Sequence, residues 1–182
     1  MTERIVTKLT DNRFLNIKQV VDPDKGVKGY QFAERAGTDS VAFICYDKNN
    51  QQILLNNELK PPIDEFILGA FGGSIDKDKS FEDIVIGEVR EEAGFIVDRE
   101  SVQYLGKVMV STQMNQFCHL YVVMVDKNDQ REREPENEIE KMATTEWIDY
   151  SAMGYIAELK DWKPLAILYK AMGLGVLPEQ KA

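Results

Sequence analysis

Apolar residues in this chain come in short blocks, each closed by turn-forming residues, and the blocks predict elements. Residues 14–21 (FLNIKQVV) and 30–36 (YQFAERA) have strand composition. The turn-rich stretch 22–26 between them predicts an antiparallel N-terminal strand pair. Residues 40–46 (SVAFICY) form an almost unbroken apolar run, the pattern of a strand buried on both faces. A turn at 47–50 leads into a return strand that begins at 52–55. Residues 65–71 (EFILGAF) predict another strand, followed at once by Gly72 and Gly73. Residues 80–93 predict a helix. Phe81, Val85, Val89 and Ala93 recur every four positions as one apolar stripe. Ser80 with Asp83 resembles a capping box, and Gly94 stands where a left-handed C-terminal cap belongs. Strands at 102–110 and 117–125 flank a polar bend, 111–116. An acidic loop, 126–141, precedes a short strand at 145–148. Helices at 152–159 and 162–172 close the chain. This order of elements predicts an α+β fold, with a mixed sheet covered by helices on both faces.

The length of 182 residues suits one domain with a small N-terminal extension, able to bury a core without disulfides. Lys and Arg total 22 against 31 Asp and Glu, a net charge of −9. That balance argues against a general nucleic-acid binder. It also means that a phosphate-bearing ligand would need local positive charge or a metal. Cys45 and Cys118 are widely separated and read as reduced, buried thiols. The polar N-terminus and the lack of a long apolar run predict a cytoplasmic protein without a membrane span.

The chemically informative stretch is 72–95, GGSIDKDKSFEDIVIGEVREEAGF. On a helix, Glu88, Glu91 and Glu92 occupy i, i+3 and i+4 and share one face away from the apolar stripe. Carboxylates so placed repel, and a hard divalent cation relieves them. Oxygen donors favour Mg²⁺ or Mn²⁺ over zinc. The plain alternative is a solvated acidic helix face.

A Gly-Gly strand end, a short loop and a helix with these glutamates resemble the signature of the Nudix hydrolase superfamily. Gly73, Glu88, Val89, Glu91, Glu92, Gly94 and Phe95 match it in register. Two positions depart: Lys79 stands where the family has its first Glu, and Gly87 where it has Arg. In the family these two commonly pair, so their joint loss is self-consistent. Gly87 inside a helix costs about 1 kcal/mol relative to Ala, which raises the expectation that something passes close to it. The resemblance implies an α/β/α sandwich with a mixed central sheet. It implies metal held by Glu88, Glu92, Glu91 and the Gly72 carbonyl, and hydrolysis of a diphosphate bond.

For the general base the resemblance leaves Glu88 and the acidic loop, where Glu136, Glu138 and Glu140 are candidates and Glu138 is preferred. The layout resembles the branch that cleaves ADP-ribose and nucleotide sugars. In that branch N-terminal strands support a homodimer and base binding, which divides this chain into a β extension, 1–37, and a hydrolase domain, 38–182. Tyr30 and Phe32 alternate onto one strand face and are candidates to stack on a base. Arg35, on the opposite face, is a candidate phosphate contact. Gln113, Met114 and Gln116 are candidates to face the sugar. ADP-ribose enzymes usually carry Pro in this bend. Here there is none, with Thr112 near that place, so a nucleoside-diphosphate sugar is at least as good a substrate. His119, the one histidine, reads as a packed sheet residue. Two other readings stand beside hydrolysis of such a small nucleotide. One is a nucleotide-sensing module that cleaves nothing, motivated by Lys79 and Gly87. The other is an enzyme that destroys damaged nucleoside triphosphates.

Overall fold

β4 (Ser40–Asp47) sits at the centre of a seven-stranded mixed sheet because its side chains are apolar on both faces. Ala42, Ile44 and Tyr46 enter one core cluster; Val41, Phe43 and Cys45 enter the other. In this computed structural model, residues 3–37, 39–75 and 78–179 are described. The boundary drawn between residues 37 and 38, and residues 76–77 of the loop before the helix, touch positions outside them. The central strands run β10 (Thr144–Asp149), β5 (Gln52–Lys60), β4, β9 (Phe117–Val125) and β8 (Val102–Met109). β4 and β9 are parallel, and the other pairings in this sheet are antiparallel. Helix α1 (Phe81–Glu88) covers one face, through Val85 and the following Val89 and Ala93. Helices α3 (Met153–Ala157) and α4 (Trp162–Gly173) cover the other, through Ile156, Ile167 and Leu168. The expected mixed sheet between helical layers is the one found.

The N-terminal hairpin is present as β2 (Leu15–Asp22) and β3 (Val27–Arg35). Its turn is a short 3-10 segment in which the Asp22 side chain accepts the Lys25 N–H and Gly26 takes a left-handed conformation. A third strand, β1 (Ile5–Lys8), pairs with β2, so the expected pair is a trio. Its four residues are all exposed, and no burial pattern announced it. The sheet is tied to the bend at 111–116: the Ala33 N–H donates to the Gln113 carbonyl (2.7 Å), and the Tyr30 hydroxyl to the Thr112 carbonyl (2.8 Å).

The segment expected as one strand at 65–71 is two. β6 (Glu65–Gly69) pairs with β5, and β7 (Phe71–Ser74) pairs with β4. The register makes them a V with its point at Ala70, where the chain leaves one neighbour for the other. The Ala70 N–H donates to Asp161 Oδ2 at 3.1 Å. A Cβ on Gly69 would stand 2.2 Å from that same oxygen. Asp161 is also the N-cap of α4, accepting the Lys163 N–H at 3.1 Å. The acidic loop is likewise not wholly irregular, since it contains α2 (Glu138–Met142), capped by Asn137.

Replacing Asp161 by Ala removes a helix cap, worth about 1 kcal/mol. It also strips a part-buried N–H of its acceptor, at about 1–3 kcal/mol. The expected result is a loss of about 2–4 kcal/mol in urea unfolding. Asp161→Asn, whose single acceptor oxygen can still serve one of the two N–H groups, should lose about half as much. Equal losses in the two variants would refute this role for the carboxylate.

Candidate active site

The sequence over 80–94 folds as a capped helix because each end carries its own stop. Ser80 Oγ accepts the Asp83 N–H at 3.2 Å, and Gly94 closes the far end at φ 77°. The last turn differs from expectation: Val89–Ala93 is a π-helical turn, wider by one residue than an α turn. Val89 and Ala93 remain fully buried, so the apolar stripe survives the widening. Glu92, by contrast, is only 5% exposed and points at the glycine strand, where its Oε2 accepts the Gly72 N–H at 3.4 Å. In an extended strand the N–H and C=O of one residue point to the same side. The Gly72 carbonyl therefore also faces this open edge of β7 rather than β4. Gly73 leaves Glu88 its place here, since a Cβ would stand 2.1 Å from Glu88 Oε1 and force that side chain to move.

These groups line a cavity of about 520 Å³ that also takes in Glu91, Glu136, Glu140 and Asn137, with Arg35 and Lys79 as its cations. The acidic loop is strapped over the π turn by backbone bonds from Arg131 N to the Gly94 carbonyl (2.7 Å) and from Glu134 N to the Glu91 carbonyl (3.0 Å). Glu140 is fixed by accepting the Glu136 N–H at 2.7 Å. Glu138, preferred from the sequence, does not line the cavity; its carboxylate pairs with Lys141 at 2.6 Å. Arg35 reaches the cavity rim and donates to Ser74 Oγ at 2.7 Å. Tyr30, Phe32 and Gln113 do not line it. Tyr30 borders a separate hollow on the N-terminal sheet. Phe32 shares its strand face, and Gln113 lies on the adjoining bend. Among the described residues nothing packs against Gly87: a Cβ there would meet only Glu91 Oε1, at 3.8 Å. The expected close approach is not found among them, and the missing side chain leaves the cavity wall open. His119 is a packed residue as expected, held between Asp39 Oδ2 (3.1 Å) and the Tyr104 hydroxyl (3.3 Å).

The electrostatics are those of crowded, dehydrated carboxylates. Burial, then the charges of Glu88 and Glu58, push the Glu92 carboxyl up to about 8, against the Gly72 N–H. Burial, then Glu91, Glu140 and Glu136, push Glu88 up to about 7, with Lys79 opposing. Burial and Glu136 also raise Glu91, against Arg90. Glu58 was missed in the sequence because the return strand was followed only to residue 55.

Among the described residues, no three acidic, His or Cys side chains stand close enough to hold a metal as they are. Glu92 turns to the Gly72 N–H and Glu91 to Arg90, at 3.3 Å. The site nevertheless fits a hard cation in chemistry: every donor is an oxygen, and the raised proton affinities show an unmet demand for positive charge. Away from the cavity lining, Asn56 Oδ1 is a buried atom with no partner among the described residues, two residues before Glu58 on the same face of β5.

With this geometry in place, the comparisons bear on class. The NUDIX domain family matches residues 38–171, and the chain belongs to it. An uncharacterized Nudix hydrolase of Schizosaccharomyces pombe is 29% identical over 106 residues, a stretch covering 52% of this chain and 52% of that protein. The match thus spans about half the length of this curated relative. The crystal structure of an ADP compounds hydrolase superposes with a TM-score of 0.73 over 97% of this chain and 98% of its own, at 15% identity. At that identity it shows a shared fold.

Carboxyls whose pKa is raised by folding stabilise the protein at low pH, and that contribution disappears as pH climbs through the folded values. With chelator present, the protein should therefore lose stability between about pH 5 and about pH 8 as Glu88 and Glu92 ionise. Glu92→Gln, neutral throughout, should flatten that slope and be more stable than wild type at about pH 8.5. Parallel melting curves for the two proteins across pH would rule this electrostatic picture out.

Proposed function

We propose that this chain hydrolyses the diphosphate bond of a nucleoside-diphosphate sugar or ADP-ribose, giving a nucleoside monophosphate and a sugar phosphate. The observation that carries the reading is the pair of buried, proton-hungry carboxylates, Glu88 and Glu92, set against the open edge of the Gly72-Gly73 strand. Membership of the NUDIX family supports it, and the fold shared with an ADP compounds hydrolase is in keeping with it. Glu88, Glu92, Glu91 and the Gly72 carbonyl would hold Mg²⁺ or Mn²⁺. Such a cation, when bound, neutralises phosphate charge and polarises the bond to be broken. Arg35 offers a charged hydrogen-bond fork to a phosphate oxygen at the rim. Hydrolysis adds one water across the P–O–P bridge, and a carboxylate must accept its proton. Glu88, Glu136 and Glu140 line the cavity and are placed for that task. Residues 1–37 would serve as a β extension for a homodimer contact and for the base. Tyr30, 47% exposed beside a hollow of about 420 Å³, is the stacking candidate, with Phe32 on the same strand face. Residues 38–182 would be the hydrolase domain.

One observation favours a second reading, a sensor that binds nucleotide without cleaving it. Lys79 lines the cavity, and Gly87 leaves its wall open. Lys79 could thus contact ligand directly where family members carry an acid.

Incubating the protein with nucleotide sugars, ADP-ribose and nucleoside triphosphates, with Mg²⁺ or with chelator, separates these readings by product. The expected result is metal-dependent release of nucleoside monophosphate plus sugar phosphate. Glu92→Gln should lower kcat by about 100-fold or more, beyond the usual cost of changing an outer-shell residue. Release of inorganic diphosphate would point instead to triphosphate hydrolysis. Bound but uncleaved ligand in every case would overturn the hydrolase reading in favour of the sensor.

Metal should also stabilise the protein. At 100 times its Kd it adds about 2.7 kcal/mol, or about 5–10 °C in Tm for a chain of this size. That rise should be present at about pH 8.5 and nearly absent at about pH 5, where protons occupy the carboxylates. A rise of equal size at both pH values would exclude Glu88 and Glu92 as the ligands.

A further inference from the structure

The V made by β6 and β7 has a hollow on each side of it. One is the carboxylate cavity. The other, of about 200 Å³, is lined by Lys60, Lys163, Glu58, Ser40 and Cys118, and it shares Arg35 and the Gly72-Gly73-Ser74 strand with the first. The two differ in charge. The carboxylate cavity gathers several acids around Lys79 and Arg35, whereas at this second hollow Arg35, Lys60 and Lys163 outnumber the carboxylates of Glu58, in its lining, and Asp161, paired with Lys163 just behind it. In a chain of net charge −9, a small hollow where cations outnumber acids is a local reversal of sign.

Neither lysine hangs free in solvent. Lys163 stands in the first turn of α4, its side chain 26% exposed, with Nζ 3.4 Å from Asp161 Oδ2. Asp161 is itself anchored to the Ala70 N–H at the point of the V. Lys60 is held by an ion pair with Glu58, its side chain 35% exposed. Both ammonium groups are therefore preorganised, so binding an anion costs little further side-chain entropy.

The lining also says what kind of group fits. Among the described residues no aromatic side chain borders the hollow, so a nucleobase would find none of them to stack on. Its volume lies below the roughly 300–1,000 Å³ of pockets that enclose drug-sized ligands, too little for a whole nucleotide. Lysines, a carboxylate and serine hydroxyls are the partners of a phosphate carrying a polyhydroxylated group. We infer that Lys60 and Lys163, with Arg35 between the two hollows, form a sugar-phosphate subsite that receives the non-nucleoside half of the substrate. Calling that ligand half of a substrate rests on the hydrolase reading; the subsite itself does not.

The test is calorimetric titration of the full-length, metal-free protein with glucose 1-phosphate, ribose 5-phosphate, inorganic phosphate and nucleoside monophosphates. A sugar phosphate should bind more tightly than inorganic phosphate. Lys60→Gln and Lys163→Gln should each weaken it about tenfold or more, about 1.4 kcal/mol, while leaving nucleoside monophosphate affinity within about twofold. Lys163→Arg should recover most of the loss, which a merely misfolded variant would not, and melting curves check folding directly. Unchanged sugar-phosphate affinity in both glutamine variants would overturn the inference. So would an equal loss for nucleoside monophosphates, or inorganic phosphate binding as tightly as the sugar phosphates. Because no turnover is read, the two proposals fail separately. Lysine-dependent binding in a protein that cleaves nothing would sink only the hydrolase reading. Cleavage with lysine-independent binding would sink only the subsite.

Discussion

The close approach of the glycine strand to the helix that follows it is the constraint on which the rest of the site depends. Glu88 lies where a side chain on residue 73 would stand, and β7 lies against β4 closely enough that residue 72 has no room for one either. A Cβ on Gly73 would overlap Glu88 Oε1, and one on Gly72 would come within 2.8 Å of the Val41 carbonyl. Contact at that distance buries the carboxylates, and burial is the largest cause of their raised proton affinity. The same strand must also leave part of its hydrogen-bonding edge unpaired, or Gly72 would have no N–H for Glu92. The V at Ala70 supplies that free edge. One short segment thus sets the dehydration, the repulsion and the open backbone groups of the site together.

Holding like charges this close costs free energy, and the fold supplies the restraint from the opposite side of the helix. Val85, Val89 and Ala93 are fully buried against the Phe43, Phe71 and Tyr121 layer. A helix fixed along that stripe cannot roll to release its glutamates into water. The widened turn at Val89–Ala93 keeps the stripe buried and carries Glu92, whose carboxylate meets the Gly72 N–H of β7. Turns of this kind concentrate at functional sites. Asp161 performs the complementary task on the other face, satisfying Ala70 and starting α4 with one carboxylate.

Local chemistry was legible in the sequence wherever it decided the structure. The apolar run of β4, the Ser80 cap and the Gly94 stop each announced what is found, and the mixed sheet between helices followed from the order of the elements. What the sequence hid was set by distant partners or by solvent. β1 is exposed at every position, so no periodicity marked it. The break at Ala70 depends on a carboxylate 91 residues away. The π turn leaves the same residues buried as an α turn would, so the stripe cannot distinguish them. Which loop glutamates reach the cavity was hidden too, because the Asn137 cap fixes the rotation of α2. That cap sends Glu138 toward Lys141 and leaves Glu140 at the cavity. Glu58 lies beyond the apolar part of β5, in a stretch (NNELK) with no strand pattern of its own.

The departures at Lys79 and Gly87 are best understood through what holds the loop–helix junction instead. The family resemblance implies an acid–arginine pair across these two positions, and this chain has neither partner. The junction is anchored from outside the motif: Arg99 forms an ion pair with Asp83, approaches Glu82 at 3.9 Å and donates to Ser80 Oγ at 3.4 Å. Ser80 and Asp83 are themselves joined as cap and first turn. The arginine that steadies this end of the helix is therefore supplied from the segment before β8. Moving that restraint frees the cavity wall at residue 87 and leaves Lys79 as an ammonium group facing the acids. A positive charge in that place offsets part of the repulsion that Glu88 feels from Glu91, Glu136 and Glu140, which a glutamate there would have increased.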